Sequence, residues 1–156
     1  MNDAIFESIT QEDYLLIEYD LFMGDMRQIC SFVIDEEKEL KELKNILLQI
    51  KKSDSNVSAY VRTYGVDKRS DGNLFIYGDN IWLDTNITID ELNHIFSQYD
   101  EENNPLRGIV PYYISFPEEE LVDGLKYVFH NNGRIEDFSQ FKLENKLANI
   151  KSIYWD

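Results

Sequence analysis

The chain reads as a single α+β domain, a mainly antiparallel β-sheet with about three to four helices packed on it. Three observations predict this. At 156 residues it fits one ordinary domain, and 43% hydrophobic with 13% aromatic residues supplies a sizeable core. Runs rich in β-branched and aromatic side chains alternate with stretches of helical period, so strands and helices interleave. The early strand runs are separated by short turn sequences, which suit antiparallel neighbours rather than the long crossovers of a parallel sheet. No internal repeat or low-complexity linker divides residues 1–156.

Residues 12–22, EDYLLIEYDLF, and 27–34, RQICSFVI, have strand composition, and MGD between them supplies a glycine for a tight turn, which predicts a hairpin. DEEKELKELKNILLQIKK then changes to helical period: Leu40, Leu43, Leu47 and Ile50 recur every three or four residues, acids crowd the first turn, and Lys51 and Lys52 close the last. Three short runs follow, VSAYVRTYG, NLFIYG and IWLDT, separated by SDG and GDN, and they read as a meander. TIDE at 88–91 matches a capping box, with Thr88 accepting from the Glu91 amide just ahead of Leu92, Ile95 and Phe96. YDEENNP ends that second helix. GIVPYYISF follows as a strand that Pro111 confines to an edge or bulge. Ser115, Pro117 and Glu118 then resemble a helix start, with Leu121, Leu125, Val128 and Phe129 as its apolar stripe and HNNG as its end. Phe138, Phe141, Leu143, Leu147 and Ile150 suggest a last helix, and SIYWD a terminal strand or docked tail.

Charge narrows the function. The net charge is −15, and it is regional: residues 1–26 carry seven acids and no base, while residues 70–125 carry twelve acids and Arg107 alone. Such a field repels nucleic acid and anionic membrane and attracts basic surfaces, with rate enhancements that fade as salt screens them. The plainer reading of the same charge is solubility. No apolar run approaches the roughly 20 residues that span a bilayer, and MNDAIFESITQEDY has no secretory pattern. A single cysteine, Cys30, in the apolar run ICSFVI, forms no internal disulfide and is expected to be a buried, inert thiol. A cytoplasmic protein without membrane contact is the expectation.

Catalytic patterns are sparse. No nucleophile elbow, Walker loop or dinucleotide-binding glycine turn occurs. A cysteine–histidine pair would need Cys30 beside His94 or His130, and the sequence places His94 on the polar side of its helix and His130 near a helix end. Two calcium-loop-like stretches fail at required positions: Pro105 and Pro111 interrupt the one starting at Asp100, and Arg69 and Gly78 the one starting at Asp67. No cofactor, metal or catalytic residue is assigned. What the residues suit is binding: carboxylates interleaved with aromatic bodies oppose a basic protein surface and supply desolvated anchors. The candidate partner-binding residues are Asp71, Tyr77, Asp79, Trp82, Asp84, Asp90, Glu91, Asp100, Glu101 and Glu102. For Tyr77 and Trp82 the alternative is a place in the core on a short strand, above all for Trp82 in the middle of IWL.

GDNIWLDTNITIDELNHIF resembles a segment of bacterial immunity proteins from polymorphic toxin and contact-dependent growth inhibition systems. In them an aromatic strand end flanked by aspartates leads into a short helix. The matching residues are Asp79, Ile81, Trp82, Leu83, Asp84 and Thr85, then Ile89, Glu91 and Leu92. The resemblance implies a small cytosolic α+β protein that binds the C-terminal domain of one cognate toxin, a basic domain of the nuclease kind, and blocks it without chemistry or direct nucleic-acid binding. A nuclease must be basic to hold phosphates, so an acidic protein competes for the same charges. The family's contact residues vary, and none carries over from the motif. Two rival classes stand beside this reading: an acidic DNA mimic or anti-defence inhibitor, and a small enzyme with a carboxylate-lined site.

Overall fold

The computed structural model of the chain describes residues 7–144 and 147–156. Within them lie eight strands in one sheet and five α-helices: β1 Tyr14–Glu18, α1 Tyr19–Met23, β2 Cys30–Phe32, α2 Glu37–Ser53, β3 Ser58–Lys68, β4 Leu74–Asp84, α3 Ile89–Ser97, β5 Tyr113–Ser115, α4 Glu119–Val122, β6 Leu125–Phe129, β7 Ile135–Asp137, α5 Phe138–Glu144 and β8 Ile150–Tyr154. The sheet order is β5-β8-β4-β3-β1-β6-β7, with β2 also paired to β4. The pairs are antiparallel except β1 with β6 and β2 with β4. The α+β expectation holds. Among the described residues no helix is long and apolar enough to cross a membrane.

Alternation along the strands gives the sheet two buried faces. Leu15, Ile17, Val61, Ile81, Leu83, Phe129 and Ile153 share one core with Leu43, Ile46 and Ile50 of α2 and Leu92 and Phe96 of α3. Leu16, Tyr60, Trp82, Val128 and Ile150 form a second core under Phe138 and Phe141 of α5. A sheet covered on both sides explains why so many of its strand positions are apolar at once. The helix from the clearest periodic stretch forms as expected, and Ile46, outside the predicted stripe, is buried with Leu43 and Ile50. Thr88 caps α3, its hydroxyl accepting from the Glu91 amide at 3.1 Å.

Four expectations are corrected. The hairpin of residues 12–34 does not form. β1 lies between β3 and β6, and β2 runs parallel to β4 instead. The chain leaves β1 straight into α1, and MGD ends that short helix: the Met26 amide donates to the Leu21 carbonyl, and a Cβ on Gly24 would lie 2.6 Å from the Asp20 carbonyl oxygen. The meander has one strand fewer, because NLFIYG and IWLDT are a single strand running through GDN. Gly78 makes no turn there. It passes so close to the α1 packing that a Cβ would run into Val61 Cγ1 and lie 3.3 Å from Phe22 Cζ. The true turn is at Arg69–Asn73, where Gly72 takes φ +87° and Asp71 accepts from the Asn73 amide at 2.9 Å.

The predicted helix through Phe129 is a four-residue turn, α4, followed by strand β6 parallel to β1. Gly124, at φ +86°, breaks the helical path, and a Cβ there would press on the Tyr14 ring at 2.9 Å. HNNG is consequently the β6–β7 turn, with Gly133 at φ +85°. The last predicted helix stops at Glu144, and Ile150 belongs to β8 with SIY; the side chain of Leu143 lies outside the described residues.

Candidate functional site

β3 and β4 slip in register twice, between Arg62 and Thr63 and between Thr63 and Gly65. Arg62 pairs with Asn80 and Thr63 with Gly78, so Asp79 is the extra residue on β4; Tyr64 is then the extra residue on β3. Bulges of this kind re-aim side chains. The Asp79 carbonyl accepts from the Trp155 amide at 3.0 Å. Its carboxyl is held among β8 and β5 groups at the end of the sheet, where burial pushes it up to about 6. The Arg62 guanidinium opposes that rise, and the Asp156 carboxylate adds to it. Arg62 is itself buried, donating to the Leu121 carbonyl at 2.9 Å and the Thr63 carbonyl at 3.1 Å and lying over the Tyr14 ring. It offers little neutralising charge to the surface.

Next to Asp79 the edge of the sheet carries an aromatic cluster. β5 pairs with β8 through Tyr113 opposite Tyr154, and the Tyr112 amide donates to the Tyr154 carbonyl at 2.7 Å. The rings of Tyr112, Tyr113 and Tyr154 stand 5.4–5.9 Å apart. Tyr112 is 70% exposed, Phe116 53% and Tyr113 38%. Burial raises the Tyr113 phenol, as do the carboxylates of Glu118 and Asp79; burial, Asp156 and Asp79 do the same for Tyr154. These are exposed aromatic bodies ringed by negative charge.

On the other side of Tyr112 a cleft of about 340 Å³ is lined by Val33, Ile34, Asp35, Glu36, Glu39, Gly108, Val110, Tyr112, Trp155 and Asp156, with no base among them. The Glu39 carboxyl rises above its ordinary value, through burial first and then through Glu36 and Asp35; Lys38 opposes the shift. Glu39 rests against the backbone of Gly108, in the space a Cβ would occupy.

The sequence-predicted residues are not brought together. Asp71 stabilises the β3–β4 turn, accepting from both the amide and the side chain of Asn73. Tyr77 is half-buried and packs on Tyr64, rings 6.1 Å apart. Trp82 is wholly buried under Phe138 and serves the second core. That removes it as a contact residue, because both sheet faces are covered where it sits. Asp84 is half-buried at the end of β4, raised by burial and by Asp54 and lowered by Lys151. Asp90 and Glu91 are exposed in the first turn of α3, and Glu101 and Glu102 in the loop beyond it; Asp100 lies 3.8 Å from Arg107. Of the ten, Asp79 alone joins the aromatic edge. Tyr112, Tyr113 and Phe116 were missed, although PYYISF between two prolines signals a short edge strand whose consecutive aromatics cannot all face inward.

Two other places invite chemistry. His130 sets Nδ1 3.2 Å from Glu18 and Nε2 2.7 Å from Glu136, and Arg134 reaches Glu136 at 2.6 Å. Both ring nitrogens are engaged, so the imidazole has none free to take a proton from a substrate. The cluster ties β1, β6 and β7 together. Cys30 sits in the large core on β2, its thiol pushed up to about 12 by burial, with β4, β3 and β1 between it and β6 in the sheet. The described residues hold no group of three or more His, Cys, Asp or Glu arranged to take a metal ion. No protein-family model, no curated protein and no solved structure matches this chain.

Proposed function

We propose that this chain is an immunity protein: it binds the C-terminal domain of a cognate toxin, a basic domain of the nuclease kind, one to one, and neutralises it by covering the active site or a neighbouring surface. The observation that carries the reading is the sheet edge where Tyr112, Tyr113 and Phe116 stand exposed beside Asp79, Glu118 and Asp156. Isolated exposed aromatics are ordinary, but the rings of Tyr112, Tyr113 and Tyr154 pack on one another beside these acids, with Phe116 exposed a few residues on, and aromatic anchors next to complementary charge are what a protein interface uses. The −15 net charge agrees with it. A partner evolved to hold phosphate brings the opposite sign, and the long-range field then speeds encounter. The cytoplasm, where such a toxin would act, is part of the same proposal.

The experiment is co-expression with the C-terminal domain of a toxin, sought first in the neighbouring reading frames, followed by calorimetry of the purified pair. One-to-one binding with growth rescue, and an association rate that falls steeply with salt, is the expected result. Salt-independent association would remove electrostatic steering from the account. Equal binding to several unrelated nucleic-acid enzymes would mark a DNA mimic, and turnover of a small molecule would mark an enzyme.

A further inference from the structure

We propose that the β5 edge is the docking surface itself, and that it receives an arginine- or lysine-bearing protein surface through Tyr112, Tyr113 and Phe116. The inference rests on the inhibitor reading and names its contact face and the chemistry it takes. Charge complementarity selects the occupant. Between Gly108 and Leu125 the chain has four acids, Glu118, Glu119, Glu120 and Asp123, and no base. The cleft on the far side of Tyr112 adds Asp35, Glu36, Glu39 and Asp156, again with no base in its lining. Arg107, the preceding base, lies near Asp100 instead, and Arg62 is buried.

Other occupants fit worse. A second copy would bring the same acids to the same edge, and two like-charged rims repel. Residues 1–6, MNDAIF, contain no base. A strand added to the edge would find only three residues to pair with, the length by which natural sheets blunt their edges. Recognition is therefore by side chains. A guanidinium lies over an exposed tyrosine face and is drawn by its quadrupole while the neighbouring carboxylates take its N–H groups. Apolar parts of the partner cover Phe116.

The test begins with a defined probe, an acetylated and amidated Arg-Leu-Arg-Leu-Arg-Leu peptide, titrated into the isotopically labelled full chain and followed by amide shifts. At about 20 mM salt the largest shifts should fall at 112–118 and 154–156, vanish at about 500 mM, and be lost in a Tyr112→Ala/Phe116→Ala variant whose melting is unchanged. Shifts centred on Asp71, Asp90 or Asp100–Glu102, or spread evenly over the acids, would overturn the surface. So would a concentration-dependent dimer that the double variant abolishes, since a second copy would then be the occupant. With the toxin domain in hand, the double variant should bind about 100-fold more weakly. Unchanged binding by that variant, with loss on replacing Asp100, Glu101 and Glu102 by lysine, sinks the surface and leaves the inhibitor reading standing. Absence of any toxin partner sinks the inhibitor reading, and the peptide titration still decides the surface.

Discussion

Trp82 separates fold from function in a way that can be measured on the free protein. Its side chain is completely buried, it packs edge-on against Phe138 at 6.4 Å, and its Nε1 has no hydrogen-bond partner. Burying an indole removes on the order of 200 Å² from water, worth about 5 kcal/mol, and Trp→Ala changes in cores run about 3–5 kcal/mol. At about 2.1 cal/mol/K per residue, the unfolding entropy of a 156-residue domain is roughly 330 cal/mol/K, so each kcal/mol moves the midpoint by about 3 °C. Trp82→Ala should therefore melt about 9–15 °C below the parent. Trp82→Phe loses roughly 50 Å² of apolar cover, about 1.3 kcal/mol, but also releases a buried unpaired N–H whose burial costs about 1–3 kcal/mol. It should stay within about 5 °C of the parent. Tyr112→Ala, on the surface, should shift the midpoint by no more than about 2 °C. Thermal unfolding followed by circular dichroism reads all three. A Trp82→Ala protein melting within 3 °C of the parent, judged against the roughly 3 °C per kcal/mol scale, would refute the placement of this residue and with it the two-faced sheet.

Gly78→Ala should lower stability by about 1–3 kcal/mol, because its Cβ would overlap Val61 in a packed core; Gly65→Ala, whose nearest contact is the Tyr77 ring at 3.9 Å, should be neutral or slightly stabilising, and urea unfolding of the pair checks the contrast. Asp79 holds its proton more tightly folded than unfolded, since burial raises it from 3.8 to about 6. Its contribution is thus fully present below pH 3.8 and is lost as pH rises through about 6. Asp79→Asn should accordingly be more stable than the parent at about pH 8 and show no such gain at about pH 3.5, read by denaturant titration at the two ends of that range. Equal differences at the two ends would show that the carboxyl is not desolvated. Thr88→Ala should lose about 1 kcal/mol by unfolding the first turn of α3, and Thr88→Ser should restore most of it.

Local chemistry was legible where one residue decides the outcome. The Thr88 cap, the stripe of α2 and the edge position of the strand after Pro111 all follow from side chains acting within a few residues of themselves. What could not be read was long-range. Gly24, Gly78 and Gly124 look alike as turn signals, yet one ends a helical turn, one passes close to Val61, and one takes a left-handed bend against Tyr14. Only the packing distinguishes them. The pairing of β1 with β6, more than a hundred residues apart, leaves no local mark. The candidate site shows the same division: acids were found by composition, but nothing local tells that Asp71 stays in the turn while Asp79 sits at a bulge in β4 beside the aromatic edge, or that Tyr112 and Tyr113 lie where the sheet ends.

The order of the strands has a consequence for how the protein comes into being. β5 touches the sheet through β8 alone, and β8 fits between β5 and β4. During synthesis the long β3–β4 hairpin can form early, since its partners are neighbours in the chain, whereas β8 must close a loop of some seventy residues back to β4. β5, with Tyr113 opposite Tyr154, takes its place in the sheet once β8 has paired. Until then the aromatic edge is not assembled, and a chain cut short of β8 would keep the β3–β4 hairpin but leave β5 with no strand to pair with.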